Sequence, residues 1–561
     1  MCSEPRNEAR RRLRVVLTEG SSIDLPVRPT TNDDQKNAMQ ETDVLAIEYF
    51  DRAVRQYPNR TAVTDGVHSY TYDEVYKASV AAAHALVANG VGPGSRVAIL
   101  SPNHPAVLAC QYAILRAGCV WVSTNYRNSA ADTRQQLSFF GVSWVFYHSS
   151  LYEDLDAIRS QLNAVLGFVP LEAATQDGPP LSAWASSVSG RTQLPDTSMD
   201  DMIYLGCTGG TTGGGMKGVV HTNRTWELNI ANSYALFQFK APIVHLVVAP
   251  LTHAAGVFHW TLVGRGATHV LCPAADPKTI CTMIEVHKAT FVFLPPTVVY
   301  MLLAFAERVQ FDLSSLEYLV IGAAPVSRDK LKEAVHAFGP VVCVAYGSME
   351  TLLMNMFLSR EDVADAAVQP AHVHRLASIG REGPLNSVEI MDDGGTLLNA
   401  GERGEMVIRS GSVMREYYQD PERTALSRAY GWHHTGDVGW RDADGYIYLV
   451  DRKNDVIISG GFNIYPGEVE QVVMSHPAVQ DCAVVGVPHE KWGELVLAAV
   501  ELKPGAAFDD VAFIDYCKER LGSLRAPKAV EVLAQMPRSP VGKTLRRVVR
   551  ARHWEQYSRK I

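Results

Sequence analysis

The chain has 561 residues, 47% of them hydrophobic and 20% charged, with a formal net charge of −8 and a pI near 6.1. That length exceeds one typical domain, so one large and one small domain are expected, and the acidic balance excludes a general nucleic-acid or membrane-surface binder. Nine cysteines, scattered without CxxC spacing, exclude a disulfide framework and a zinc site and suit a reducing cytoplasm.

Residues 8–16, EARRRLRVV, mix acids with bases and lead into no apolar run of signal-peptide length, so residues 1–42 read as an appended extension. No stretch reaches the roughly 18 apolar residues that a membrane helix needs. The C-terminal Ser558-Arg559-Lys560-Ile561 approaches a peroxisomal signal in composition without ending in one. From residue 44 the pattern becomes regular. Helical stretches at 44–56, 72–88, 105–116 and 130–140 are interleaved with apolar runs at 96–100, 119–122 and 143–147. This alternation predicts a parallel sheet with helices on both faces.

Next comes CTGGTTGGGMKGVV at 207–220, with five glycines between Gly209 and Gly215, hydroxyls at Thr208, Thr211 and Thr212, and one cation, Lys217. Glycines free main-chain N–H groups to converge on an anion, the hydroxyls add donors and the lysine adds a charge, which are the parts of a polyphosphate cradle. Glycine content alone fits a flexible surface loop equally well, and no Gly-Lys-Ser/Thr closes a Walker loop. Buried-type strands follow at 244–248, 291–294, 318–321 and 341–345, with helices predicted at 277–288, 296–308 and 327–338. Each strand ends in a small motif: PLTHAAG at 250–256, LPPT at 294–297, GAAP at 322–325 and YGSMET at 346–351. Ligands of open α/β sheets bind beyond such strand ends, so these motifs should line one crevice. Beyond residue 380, the Asp392-Asp-Gly-Gly and Asp442-Ala-Asp-Gly turns predict β-hairpins. The expected architecture is α/β: a large N-terminal domain (43–451) of doubly wound sheets with a small antiparallel β subdomain, and a small mobile α+β C-terminal domain (452–561).

The glycine stretch is followed in order by YGSME, WHHTGDVG, DRKNDVIISGGFNIYPGEVE and PRSPVGKTLR. This series resembles the adenylate-forming superfamily of acyl-CoA synthetases, aryl-CoA ligases, firefly luciferase and peptide-synthetase adenylation domains, over roughly residues 45 to 550. The resemblance implies an ATP- and AMP-binding surface of Thr208, Gly209, Gly210, Thr211, Thr212, Gly213, Lys217, Gly322, Ala323, Ala324, Pro325, Tyr346, Gly347, Ser348, Met349, Glu350, Asp437, Arg452 and Lys543. It implies that Tyr346 stacks on adenine, that Asp437 accepts the ribose hydroxyls, that Arg452 reaches ribose and phosphate, and that Glu350 and Thr208 hold Mg²⁺. A carboxylate paired with a hard cation is sound chemistry. The implied catalytic groups are Lys543, Glu350, Thr208 and Lys217, with Lys543 bridging the acid and the α-phosphate. The Gly-Lys-Thr at 542–544 is not a Walker loop, because Pro537 stands where its first glycine belongs.

By the same resemblance His253, Gly347, Gly460 and Gly461 border the acyl and thiol tunnel, and the hinge falls on Asn454. The acyl pocket is expected from 226–235, 253–259, Val298, Gly322, Gly347 and 352–354. That set is mostly apolar. No aspartate lies between residues 244 and 263 to pair with an amino group, which argues against amino-acid activation. Three departures stand out. Met349 replaces the family's threonine, the glycine loop is one residue longer, and no proline precedes Lys217. The implied activity is a cytoplasmic carboxylic acid–CoA ligase that uses ATP, Mg²⁺ and coenzyme A on a fatty, alicyclic or aromatic acid. Alternatives are an acyl-AMP ligase loading a carrier protein and a non-catalytic nucleotide or acyl-adenylate binder. A homodimer is compatible with the sequence, which specifies no oligomeric state.

Overall fold

The computed structural model describes residues 12–16, 22–26, 44–188, 193–209, 216–252, 254–538 and 544–554. The chain divides into two compact units, Met1–Val44 and Leu45–Ile561. In the first, Arg12–Val16 and Ser22–Pro26 pair as an antiparallel hairpin with Val15 opposite Ile23. The second unit carries everything that follows.

Its first large sheet has seven strands. In spatial order these are Glu416–Tyr417, Met216–Thr222, Met202–Gly209, Val120–Ser123, Arg96–Leu100, Trp144–Tyr147 and Gly167–Pro170. The last five run parallel, Met216–Thr222 runs against them, and Glu416–Tyr417 pairs antiparallel with Met216–Thr222. The second sheet has nine strands in the order Arg381–Glu382, Leu352–Leu358, Val342–Ser348, Tyr318–Gly322, Phe291–Leu294, Val244–Val247, Thr268–Leu271, Thr61–Thr64 and Ser69–Thr71. Its six central strands are parallel. Helix Pro105–Arg116 is buried on nearly every side, as a helix apolar all round must be. It shares one core with Val97, Ile99 and Trp121 of the first sheet and Val63, Val247 and Leu271 of the second. Helix Tyr72–Ala88 joins that core, its start fixed by a reciprocal cap in which Thr71 and Glu74 bond each other's backbone N–H.

A four-stranded antiparallel sheet follows, ordered Asn386–Met391, Arg403–Ser410, His433–Arg441 and Ile447–Arg452. A last sheet is built of Phe462–Ile464, Ile457–Ser459, Gly493–Leu502, Val479–His489 and Ala529–Leu533, with helices Pro466–Met474, Asp510–Arg525 and Arg546–Trp554. The elements thus follow the predicted α/β, antiparallel and α+β succession.

Two sequence expectations need correction. The helix predicted over 296–308 ends at Ala304, and a 3₁₀ turn spans Ala306–Gln310. Arg308 donates to the carbonyls of Leu302 and Leu303, so the helix's last acceptors are satisfied without another turn. The 346–351 motif is not a loop beyond its strand. Strand Val342–Ser348 runs through Tyr346 and Gly347, then returns antiparallel as Leu352–Leu358 with its register broken between Tyr346 and Ser348. A side chain at Gly347 would stand 2.1 Å from the Leu352 carbonyl oxygen, so only glycine permits this tight return.

Between the second sheet and its covering helices lies a hydrogen-bonded row of buried rings. Tyr112 Oη sits 2.6 Å from His259 Nε2, His259 Nδ1 sits 3.0 Å from His269 Nε2, and His269 Nδ1 sits 3.1 Å from His245 Nδ1. His245 Nε2 ends the row without a partner among the described residues. With three neutral rings, donation starting from the Tyr112 hydroxyl leaves one orphan, the final N–H. The opposite direction leaves both a hydroxyl hydrogen and a nitrogen lone pair unmatched, so the first is favoured.

Burial holds His245 down at about 3, His221 at about 4, and His259 and His269 well below the ordinary histidine value. Unfolded histidines titrate near 6.5. Above that pH neither state binds these protons. Between about 6.5 and 4 only the unfolded chain does, so stability is full above 6.5 and is lost as pH falls, at up to about 1.4 kcal/mol per histidine per pH unit. Urea unfolding at pH 7.5 and 5.0 should show a markedly lower midpoint at the acid value. A midpoint unchanged across that interval would contradict the neutral assignment.

Candidate active site

Strands Val244–Val247, Phe291–Leu294, Tyr318–Gly322 and Val342–Ser348 are parallel neighbours, so the three motifs that follow the first three strands emerge side by side at one end of the sheet, next to the tight return at 346–351. Gly322 is buried, and a side chain there would come within 2.8 Å of the Ala345 carbonyl oxygen. Ala323 follows with φ of +69°, a left-handed conformation costly for alanine, and it is exposed together with Ala324 and Pro325. Leu352 (φ +58°) and Met354 (φ +65°) are strained in the same way. They are pinned by two buried asparagines of helix Asn223–Leu236: Asn229 Oδ1 accepts from Leu353 N–H at 3.2 Å, and Asn232 Nδ2 donates to the Met354 carbonyl at 2.8 Å. Asn103 braces the neighbouring motif, accepting from Leu251 N–H at 2.8 Å and donating to the Ala249 carbonyl at 3.1 Å.

Asp437 is the meeting point of three elements. It stands opposite Arg452 across the antiparallel pair His433–Arg441 and Ile447–Arg452. Arg452 Nε lies 2.6 Å from Oδ1, and the Tyr346 hydroxyl donates to Oδ2 at 2.5 Å. The carboxylate is only 8% exposed. Gly436, at φ of +72°, turns the chain beneath it, and its N–H donates to Glu405 at 2.9 Å. Burial, reinforced by the Asp437 charge, pushes the Tyr346 phenol well above its usual range, so it remains a donor. Burial disfavours the Arg452 charge, but Asp437, Tyr346 and Glu350 outweigh it and raise the guanidinium further.

Glu350 is strapped by segment 414–417. Its carbonyl accepts from Met414 N–H at 2.6 Å and its Oε1 from the Tyr417 hydroxyl at 3.0 Å. Tyr417 pairs with Val219 in the strand that carries Lys217, and the Lys217 ammonium stands 5.8 Å from the centre of the Tyr417 ring. Lys217 is the cross-strand partner of Thr208, where strand Met202–Gly209 meets strand Met216–Thr222. The preceding carbonyl, of Met349, is 2.7 Å from His221 Nε2. Carbonyls only accept, so neutral His221 carries its proton on Nε2 and takes a hydrogen bond from Thr225 on Nδ1.

Gly210, Thr211, Thr212, Gly213, His253 and Lys543 lie outside the described residues. Gly460 and Gly461 form the two-residue turn between Ile457–Ser459 and Phe462–Ile464, at φ of +58° and +85°, the geometry that favours glycine in a hairpin. This turn packs on Trp492 within the last sheet. Asn454 is exposed in the short 3₁₀ turn Lys453–Asp455. Around it Lys453 reaches Asp393 at 2.7 Å and Glu405 at 3.1 Å, while Arg546 binds Asp451 at 2.6 Å and Asp455 at 3.3 Å.

Much of the stretch expected to line an acyl pocket is buried. Trp226, Asn229, Ile230, Ser233, Phe258, Leu352 and Met354 are all buried, and His259 belongs to the histidine row. Trp226 meets Tyr204 at 5.5 Å and Trp260 at 5.6 Å between ring centres. Sequence reading missed His221, Tyr417 and Asn103, and it placed Asn229 and Asn232 in the expected acyl lining without their bracing role. The asparagines carried one signal, two amides at i and i+3 in a helix that otherwise buries its side. Tyr417 carried none, because its role rests on a pairing 198 positions away in sequence from Val219.

An AMP-binding enzyme family model matches residues 50–418, and an AMP-binding enzyme C-terminal domain model matches residues 468–543. These two matches, in this order along an α/β chain that ends in a separate α+β sheet, are those of an adenylate-forming enzyme. The chain belongs to the AMP-binding enzyme family. It is 34% identical over 506 residues to a feruloyl-CoA synthase of an Amycolatopsis species, covering 89% of this chain and 97% of that one. It is 34% identical over 494 residues to the medium/long-chain-fatty-acid–CoA ligase FadD8 of Mycobacterium tuberculosis, covering 85% and 84%. Among solved structures, the amide bond synthetase McbA of Marinactinospora thermotolerans superimposes with a TM-score of 0.81 at 30% identity, covering 90% of this chain and 99% of that one.

Met349 bears on both stability and chemistry. Its sulfur accepts from the Tyr204 hydroxyl at 3.4 Å and fills the space where a side chain at Gly206 would stand, 2.4 Å away. Met349→Thr should destabilise the protein by about 2 kcal/mol through the void it leaves, read by urea unfolding. It should change pyrophosphate release less than about tenfold, the range of one neutral hydrogen bond. A gain far beyond tenfold would show that the absent hydroxyl matters.

Proposed function

We propose that the protein is an ATP- and Mg²⁺-dependent carboxylic acid–CoA ligase acting on a hydrophobic monocarboxylate, whether fatty, alicyclic or aromatic. The observation that carries this reading is the buried Asp437 carboxylate joined to Tyr346 and Arg452, in a chain of the AMP-binding enzyme family. The names of the relatives, for feruloyl and medium/long-chain fatty acyl groups, support a thiol acceptor and a hydrophobic acid.

In this reading Asp437 accepts the ribose hydroxyls, Tyr346 stacks on adenine, and the 322–325 edge presents small side chains to the base. The substrate carboxylate attacks the α-phosphorus. The bond to the β-phosphate oxygen breaks, giving acyl-AMP and pyrophosphate. Lys543 meets the charge that builds at phosphorus, and such a preorganised cation is worth about 3–4 kcal/mol in the transition state. Glu350 and Thr208 would hold Mg²⁺, which supplies charge neutralisation on the phosphates. The fit is chemical: Glu350 is a hard oxygen donor with, among the described residues, only Oε1 engaged by a protein donor, and no cluster of three ligating side chains occurs among those residues. That suits a cation held mainly by phosphates and water.

The domain 452–561 then turns about Asn454, Lys543 withdraws, and Gly460–Gly461 faces the acyl-adenylate. The CoA thiol attacks the acyl carbon, AMP leaves, and the thioester forms. No described helix is long and apolar enough to cross a membrane, and ATP- and CoA-dependent chemistry suits the cytoplasm. A second reading, transfer of the acyl group to an amine, is favoured by the amide synthetase likeness.

Pyrophosphate release measured with ATP, Mg²⁺ and a panel of acids, with and without CoA, should be acid-dependent and should yield acyl-CoA. Release that proceeds only with an amine or a carrier protein would replace CoA as the acceptor, and no release with any acid would favour a non-catalytic binder. Lys543→Ala should abolish acyl-AMP formation while sparing thioester formation from supplied acyl-AMP. Equal loss of both half-reactions would reject two separate catalytic faces.

A further inference from the structure

Glu350 and Lys217 come from different sheets, and a single side chain touches both. We propose that Tyr417 is a positioning residue: its hydroxyl sets the Glu350 carboxylate for the metal–nucleotide complex while its ring carries the Lys217 ammonium. This rests on the ligase reading above.

Three observations converge on it. The Tyr417 hydroxyl donates to Glu350 Oε1 at 3.0 Å, which fixes the carboxylate plane and leaves Oε2 with no protein donor among the described residues. The Lys217 ammonium lies 5.8 Å from the ring centre, within reach of a cation–π attraction. Tyr417 itself has little freedom, being only 8% exposed. Its strand is zipped to the lysine strand, with Arg415 N–H donating to Val220 O and Tyr418 N–H to Gly218 O, at 2.8 and 2.7 Å. Met414 N–H meanwhile holds the Glu350 backbone at 2.6 Å.

An unsupported glutamate samples several rotamers, and ordering it would weaken cation capture. A carboxylate already oriented by a phenol presents its free oxygen in one direction, and the phenol's rigidity comes from the strand pair beneath. The two halves of the side chain therefore make separable predictions. Losing the hydroxyl should affect only what Glu350 does. Losing the ring should also affect Lys217.

The test is calorimetric ATP binding with and without Mg²⁺, together with the Mg²⁺ midpoint of pyrophosphate release, for Tyr417→Phe, Tyr417→Ala, Glu350→Gln and the Phe/Gln double variant, with thermal melts as a folding control. Tyr417→Phe should raise the Mg²⁺ midpoint roughly tenfold, the size of one hydrogen bond to a charged group. It should leave metal-free ATP affinity within about twofold. In the Glu350→Gln background it should add less than about twofold, because its partner is already gone. Tyr417→Ala should weaken metal-free ATP binding as well. Additive effects, or an unmoved Mg²⁺ midpoint in Tyr417→Phe while Glu350→Gln shifts it, would overturn the proposal alone. An unmoved midpoint in Glu350→Gln would remove Glu350 from the metal and overturn both.

Discussion

The burial of the Asp437 carboxylate constrains much of the rest. A carboxylate this enclosed is costly unless it is paired and hydrogen-bonded, and Tyr346 and Arg452 reach it from different elements. Tyr346 is delivered by the second large sheet and Arg452 by the last strand of the antiparallel sheet. The node therefore ties the two sheets together at one point. It also fixes the register of that last strand, since Asp437 and Arg452 face each other across it. Exchanging one partner for apolar packing would strand the other, so the three residues act as a unit.

What lies beyond Arg452 is organised by a second guanidinium. Arg546 is ringed by Asp451, Asp455 and Glu470, at 2.6, 3.3 and 2.5 Å. Burial pushes the acids Asp455 and Glu470 upward, while Glu470 and Asp451 hold the guanidinium well above its usual value against its own burial. Asp451 belongs to the strand before Asn454, yet it also accepts from Gly467 N–H beyond it. Arg403 and Glu468 add a pair across the same divide at 2.9 Å. A rotation about Asn454 would break the bonds of Asp451 to Arg546 and to Gly467 and the Arg403–Glu468 pair, whereas Asp455 and Glu470 lie on the same side as Arg546 and would move with it.

Most of the fold was legible because its strands are of the fully buried parallel kind. Runs such as Phe291–Leu294 and Tyr318–Gly322 need no face to be chosen, so a continuous apolar stretch bounded by small residues marks them. Helix starts were legible where a short polar side chain caps them, as with Asp276 and Ser327. The motifs named the neighbours of Asp437 because they are local words in the chain. What could not be read is what depends on pairing at a distance: the strap across Glu350, the arginine that stops the helix at Ala304, the asparagines that hold a strained strand. The ring contacts within the expected acyl region were illegible for a related reason. Composition shows that Trp226 and Trp260 are apolar, but not that they lie edge to face.

Met349 shows how a departure from a family pattern is absorbed locally. A threonine there would offer a hydroxyl to the crevice, whereas methionine turns its sulfur onto Tyr204 and over the bare backbone of Gly206. Gly206 is what makes this fit, since any Cβ at that position would overlap the thioether. The backbone on either side is indifferent to the exchange. The Met349 carbonyl is held by His221 and the Glu350 carbonyl by Met414 N–H, and neither bond involves the substituted side chain. The carboxylate that follows is therefore oriented by contacts from outside its own turn. Residue 349 is free to vary without moving it.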